Sequence, residues 1–145
     1  MQQYPHHYSV SASAHAEGDV ALESRRLPPL VTAAPEEFGG PGDRWSPETL
    51  CVGAVADCFI LTFRSVARAG KLTWLSLRCD VEGTLDRVER SPQFTQFLVR
   101  AALEVPSGVA EVDARRLLER AEQACLISNS LKASTHLEVT VTIQP

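Results

Sequence analysis

Cys51, Cys58, Cys79 and Cys125 are the residues of this chain whose side chains become nucleophiles or redox centres once deprotonated. They are scattered, with no CxxC pair and no Cys/His cluster at zinc-ligand spacing. That pattern argues against a metal site, and in a reducing compartment such cysteines stay thiols unless their role is redox chemistry. Cys58 falls in the most apolar stretch, Leu50 to Phe63, where the simplest role for a cysteine is that of a small core residue. Cys125 falls at the end of a helical pattern, a position where a thiol can be exposed enough to react. Cys51 lies seven residues before Cys58, two helical turns away and too distant for a disulfide, and reads as core. Cys79, on an alternating stretch, reads the same way. His6, His7, His15 and His136 have no carboxylate or cysteine at a recognisable ligand spacing and read as ordinary polar residues. No motif calls for a cofactor.

Two helices must position Cys51, Cys58 and Cys125. Ser46 can cap the first, Pro47 suits its first position, and Glu48 sits where the helix dipole favours an anion. This central helix is expected over 46–70, with Gly70 as its stop. Its run from Leu50 to Leu61 leaves almost no polar face, which predicts burial on nearly all sides. A chain of 145 residues can hardly surround such a helix alone, so a second subunit is expected against it. Ala114, Leu117, Leu118, Ala121 and Ala124 recur at helical spacing, with Arg115, Arg116, Glu119, Arg120 and Glu122 facing water, and predict a second, amphipathic helix over 111–125.

The remaining segments read as strands and loops. Alternation from His7 to Ala16, and short runs at Val20–Ser24 and Leu27–Ala33, predict N-terminal strands within 1–34, although Pro28-Pro29 keeps the last from a central ladder position. A Gly/Pro-rich loop fills 35–45. Residues 73–105 read as a long antiparallel hairpin turning near Ser91-Pro92-Gln93, and 135–144 as a last strand. The expected fold is a single α+β domain with a mainly antiparallel sheet of about five or six strands.

Composition narrows the function classes. With 44% hydrophobic and 22% charged residues the chain is ordinary globular material, and a net charge of −4 without a basic run offers no footprint for nucleic acid or an anionic membrane surface. The apolar stretch Leu50 to Phe63 is shorter than the roughly 18–20 residues of a spanning helix and contains Asp57. The N-terminus has no basic segment followed by an apolar one, so the expected location is the cytoplasm.

Ser46-Pro47-Glu48-Thr49-Leu50, followed by Ala56-Asp57-Cys58-Phe59, resembles the N-P-E-x-L…A-C-F signature of OsmC/Ohr proteins. Ala121-Glu122-x-x-Cys125-x-Ile127-Ser128-x-x-Leu131 resembles the family's A-E-x-x-C-P-V-S-x-x-L segment, and Glu37 to Gly42 its glycine-rich approach to the central helix. The intervals of ten residues from Glu48 to Cys58, and of 67 from Cys58 to Cys125, fit the pattern.

The resemblance implies an OsmC-like fold in an intertwined homodimer with active sites at the subunit interface. It implies a peroxidase acting on organic hydroperoxides, and on hydrogen peroxide as a second substrate. Cys58 would attack the peroxide, Cys125 would resolve the sulfenic acid as a disulfide, and an external dithiol would reduce it, a lipoyl group in members of the organic-hydroperoxide type. Burial disfavours a thiolate and an adjacent arginine favours it. Family members hold such an arginine with the glutamate matching Glu48, and the candidates here are Arg25 and Arg26, with Arg44 a third. Ten residues of helix separate Glu48 from Cys58 by about 15 Å, so their contact would need Glu48 from a second subunit.

The chain departs from the pattern at two positions. Asp57 stands where a small residue is frequent, and Leu126 replaces the proline after Cys125. Both bear on substrate and rate more than on fold. Two other readings remain open: a non-catalytic protein using the interface pocket for a small ligand, and a slow redox sensor using the same two cysteines.

Overall fold

Ser46 starts the long helix α1 (Pro47–Ala69) in a computed structural model that describes residues 1–145. The Ser46 hydroxyl accepts from the Thr49 backbone N–H at 3.1 Å, while the Thr49 hydroxyl accepts from the Ser46 N–H at 2.8 Å. This is a reciprocal capping box in which threonine takes the usual place of Glu or Gln. At the far end Gly70 follows α1 as expected, but the left-handed residue is Lys71, at φ 55°. Gly70 serves packing instead, since a Cβ there would stand 2.9 Å from Leu117 Cδ1.

The chain forms two compact units, 1–50 and 51–145. In the first, β1 (Ser11–Ser13), β2 (Val20–Glu23) and β3 (Leu30–Thr32) make an antiparallel sheet in that order. All three strands are shorter than the sequence patterns predict. The Ala/Ser alternation of residues 11–14 supplies no large side chain to bury, and Pro28-Pro29 offer no N–H to a ladder. A single 3-10 turn, Glu36–Phe38, interrupts the Gly/Pro-rich loop.

In the second unit β4 (Ser76–Val88), β5 (Ser91–Val105) and β6 (Ser134–Ile143) form a sheet with β5 central. The β4–β5 hairpin turns at Glu89-Arg90 rather than at Pro92, which pairs with Arg87 inside the ladder. Proline is tolerated there because β6 pairs only from Gln96 onward, leaving the other edge of β5 open at Pro92. β6 runs parallel to β5. Parallel neighbours need a crossover, and α2 (Glu111–Ala124) with the short α3 (Leu126–Asn129) supplies it.

The core of this unit lies between α1, the inner face of the sheet and α2, with Phe59, Phe63, Phe97, Leu103 and Leu118 fully buried. Only one stripe of α1 is buried, Val55, Phe59, Phe63 and Ala67. The expected burial on nearly all sides is not reached within this chain, because the sheet and α2 cover a single side and leave Leu61 53% exposed. By length and composition alone α1 could cross a membrane, but its buried stripe belongs to a core shared with β5 and α2.

Candidate active site

Within residues 51–145 the fold brings Cys58 and Cys125 together. Cys58 lies in the middle of α1, half-buried, and Cys125 is the residue joining α2 to α3; both are free thiols. Cys125 is only 1% exposed, against the expectation of an accessible thiol at a helix end. The register of α2 explains it: Ala114, Leu118 and Ala121 form the buried stripe, and Cys125, four positions after Ala121, extends it while Ala124 turns outward.

The surroundings of the two sulfurs differ. Burial pushes the Cys125 thiol up from its ordinary value, the Ser128 hydroxyl and backbone N–H pull it back down, and the neighbouring Cys58 thiol adds to the rise. The Ser128 hydroxyl donates to Cys125 Sγ at 3.4 Å. Thr62 Oγ1 lies 3.8 Å from Cys58 Sγ, one turn further along α1. Cys79, on β4 near Cys125, is pushed up to about 12 by burial first, then by Asp80 and Cys125. Cys51 is raised by burial alone. Both fit the reading of core cysteines.

Cys58 opens onto a cleft of about 650 Å³ lined by Ala54, Asp57, Leu61, Thr62, Ser65 and Val66 of α1 and by Ala124, Leu126 and Ile127. Cys58 is thus among the residues that a molecule held in this cleft would touch. Neither Thr62 nor the lining role of Leu61 and Leu126 came from the sequence reading, although the i+4 spacing from Cys58 to Thr62 was visible in it.

The other candidates belong to residues 1–50. Arg25 and Arg26 occupy the turn between β2 and β3, both exposed, with Arg26 at φ 65°. Arg44 pairs with Asp19 at 3.5 Å and with Asp43 at 3.1 Å. Glu48 lines a cavity of about 600 Å³ with Ala12, Val20, Leu22, Phe38 and Leu50, and its Oε2 is buried without a hydrogen-bond partner. A carboxylate oxygen so placed wants a cation or donor, and none of the three arginines provides one within this unit.

The sequence matches the OsmC-like protein family over residues 40–140. The uncharacterized protein YmaD of Bacillus subtilis is 24% identical over 144 residues, covering 96% of this chain and 95% of that one. The organic hydroperoxide resistance protein of Xanthomonas axonopodis pv. citri is 26% identical over 134 residues, with 92% and 91% covered. Among solved structures, an OsmC-like protein of unknown function from Vibrio cholerae superposes with a TM-score of 0.83 at 17% identity, over 94% of this chain and 100% of the other, a likeness of fold.

Proposed function

The chain belongs to the OsmC-like protein family, and we propose that it is a thiol peroxidase that reduces organic hydroperoxides through Cys58 and Cys125. The observation that carries this reading is the pair itself: a half-buried cysteine lining a largely apolar cleft, with a second, buried cysteine beside it.

The Cys58 thiolate attacks one peroxide oxygen, the O–O bond breaks, and the alkoxide leaves with a proton as the alcohol. Cys58 is then a sulfenic acid. Cys125 attacks its sulfur, giving the Cys58–Cys125 disulfide and water. An external dithiol, such as a lipoyl group, returns both cysteines to thiols by exchange and becomes a disulfide itself. The apolar walls of the cleft favour an organic hydroperoxide over hydrogen peroxide.

The protein works in this reading as a cytoplasmic homodimer. The uncovered side of α1, with Leu61 exposed, supports a second copy packed there. The unpartnered Glu48 oxygen supports an orienting role, in which it holds Arg25 or Arg26 so that the guanidinium favours the Cys58 thiolate once the dimer completes the site. A second reading, small-ligand binding without turnover, draws support from the apolar cavity around Phe38 and Leu50, which contains no cysteine.

The test is to treat the reduced protein with one equivalent of cumene hydroperoxide, and separately of hydrogen peroxide, and to locate oxidised cysteines by non-reducing peptide mapping. A rapid Cys58–Cys125 disulfide, absent in Cys58→Ser, is the expected result. Thiols that stay reduced, or oxidise at the rate of free cysteine, would overturn the reading in favour of ligand binding.

A further inference from the structure

We infer that Ser128 readies Cys125 for the resolving step: its buried hydroxyl holds the Cys125 sulfur and donates to the thiolate as that thiolate forms. The inference deepens the proposed function and rests on its assignment of Cys125 as the residue that attacks the oxidised Cys58.

A serine hydroxyl in a helix ordinarily points to water or turns back to the carbonyl four residues before it. Ser130, at the end of α3, follows that rule and donates to the Leu126 carbonyl at 2.7 Å. Ser128, two residues earlier, does not. It is buried, and its hydroxyl donates to Cys125 Sγ at 3.4 Å, three positions back in the chain.

A thiol sulfur is a weak acceptor, whereas hydrogen bonds to an ionised acceptor are roughly twice as strong as neutral ones. The hydroxyl therefore gains most when Cys125 loses its proton, and the deprotonated sulfur is the form that attacks. In that attack Cys125 Sγ bonds to the sulfur of the Cys58 sulfenic acid, the S–O bond breaks, and hydroxide leaves and takes up a proton as water. Cys125 needs the help because it is almost fully buried. Burial and the Cys58 thiol both oppose its thiolate, while the groups that favour it, a hydroxyl and a backbone N–H, both belong to Ser128. The other thiol beside it, Cys79 of β4, brings no positive charge.

The same attack can be driven without peroxide, by adding one equivalent of dithiodipyridine to the reduced protein at mildly alkaline pH. The Cys58 thiolate takes one half as a mixed disulfide and releases one thiopyridone; Cys125 then attacks the Cys58 sulfur, closes the Cys58–Cys125 disulfide and releases the second. The first phase depends on reagent concentration, the second does not, and absorbance follows both while peptide mapping identifies the bond.

Ser128→Ala keeps the backbone donor and removes the hydroxyl. Loss of a hydrogen bond to a charged sulfur lowers the thiolate fraction by about tenfold, and the greater nucleophilicity of a more basic sulfur offsets roughly threefold of that. The second phase is therefore expected to slow roughly threefold with the first unchanged, whereas Ser130→Ala alters neither. Ser128→Thr and Ser128→Val are matched in shape and differ in the hydroxyl, so the threonine variant should outpace the valine variant by a similar factor even where the added bulk crowds α3. A guanidinium brought to Cys58 by a second copy acts on parent and variants alike, and the comparison isolates the hydroxyl. Equal second phases in the parent and Ser128→Ala, equal rates in the threonine and valine variants, a first phase slowed as much as the second, or fewer than two thiopyridones from the parent each overturn the inference. Because no peroxide enters this test, its failure is distinguishable from failure of the peroxidase reading.

Discussion

The Thr62 hydroxyl stands 3.8 Å from the Cys58 sulfur, one helical turn away on the face of α1 that lines the cleft. It is a donor that can stabilise the thiolate from within the same helix, and the contact can tighten once the sulfur is charged. A hydrogen bond of this kind is worth about 1 kcal/mol net, roughly fivefold in a rate. Thr62→Val is therefore expected to slow iodoacetamide modification of Cys58 at neutral pH by about that factor, and Thr62→Ser to restore it. Equal rates in all three proteins would mean that the hydroxyl only fills space.

Cys125 is buried beside Cys58, with the Ser128 hydroxyl directed at its sulfur. A resolving thiol held in this way waits for the sulfenic acid and is protected from outside reagents. In Cys125→Ser the first oxidation is expected to proceed while the second step is lost, so that dimedone captures Cys58 as a sulfenic acid. The substituted hydroxyl retains Ser128 as a partner, and the variant should fold with a cost of about 1–2 kcal/mol. Absence of the dimedone adduct, with no loss of fold, would argue against Cys125 as the resolving residue.

The limits of the sequence show clearly at these two cysteines. The helix that carries Cys58 and the one that ends just before Cys125 followed from spacing, and so did the Ser46 cap and the alternation of Leu77, Cys79, Val81 and Gly83 on β4. The burial of Cys125 was also present in the sequence, as the four-residue step from Ala121, but reading it required knowing that the stripe continues past the last turn. The parallel pairing of β6 with β5 depends on where the α2–α3 crossover returns the chain, which periodicity does not encode. Arg25 and Arg26 lie in a turn, where neither a period of 2 nor one of 3.6 fixes the direction of a side chain.

Gly83 marks the point where β4 meets α1. A methyl group there would stand 2.8 Å from Val52 Cγ2, 2.9 Å from Phe94 Cε1 and 3.0 Å from Phe97 Cε1. Since Val52 lies on the helix that carries Cys58, the added carbon must push either the aromatic pair or the helix. Gly83→Ala is expected to destabilise the protein by about 1–3 kcal/mol, the usual range for overpacking. Urea denaturation measures this, and a variant as stable as the parent would show that α1 shifts freely over the sheet.

Cys79 links the core to alkaline pH. Burial, Asp80 and Cys125 raise its thiol from an ordinary 9.0 to about 12, so the folded protein holds this proton more tightly than the unfolded chain. The associated stability is fully present below pH 9 and is lost as pH climbs from 9 towards 12, because the unfolded state ionises first. Partial exposure of Cys79 reduces the size of the effect but not its sign. Cys79→Val, which keeps an apolar side chain and removes the titrating group, should flatten the decline between pH 9 and 10.5. Cys51 and Cys125, also raised, leave a residual slope. Denaturant midpoints at pH 8, 9.5 and 10.5 for the two proteins decide it: parallel declines would mean that Cys79 does not ionise on unfolding in this range and that its thiol is ordinary.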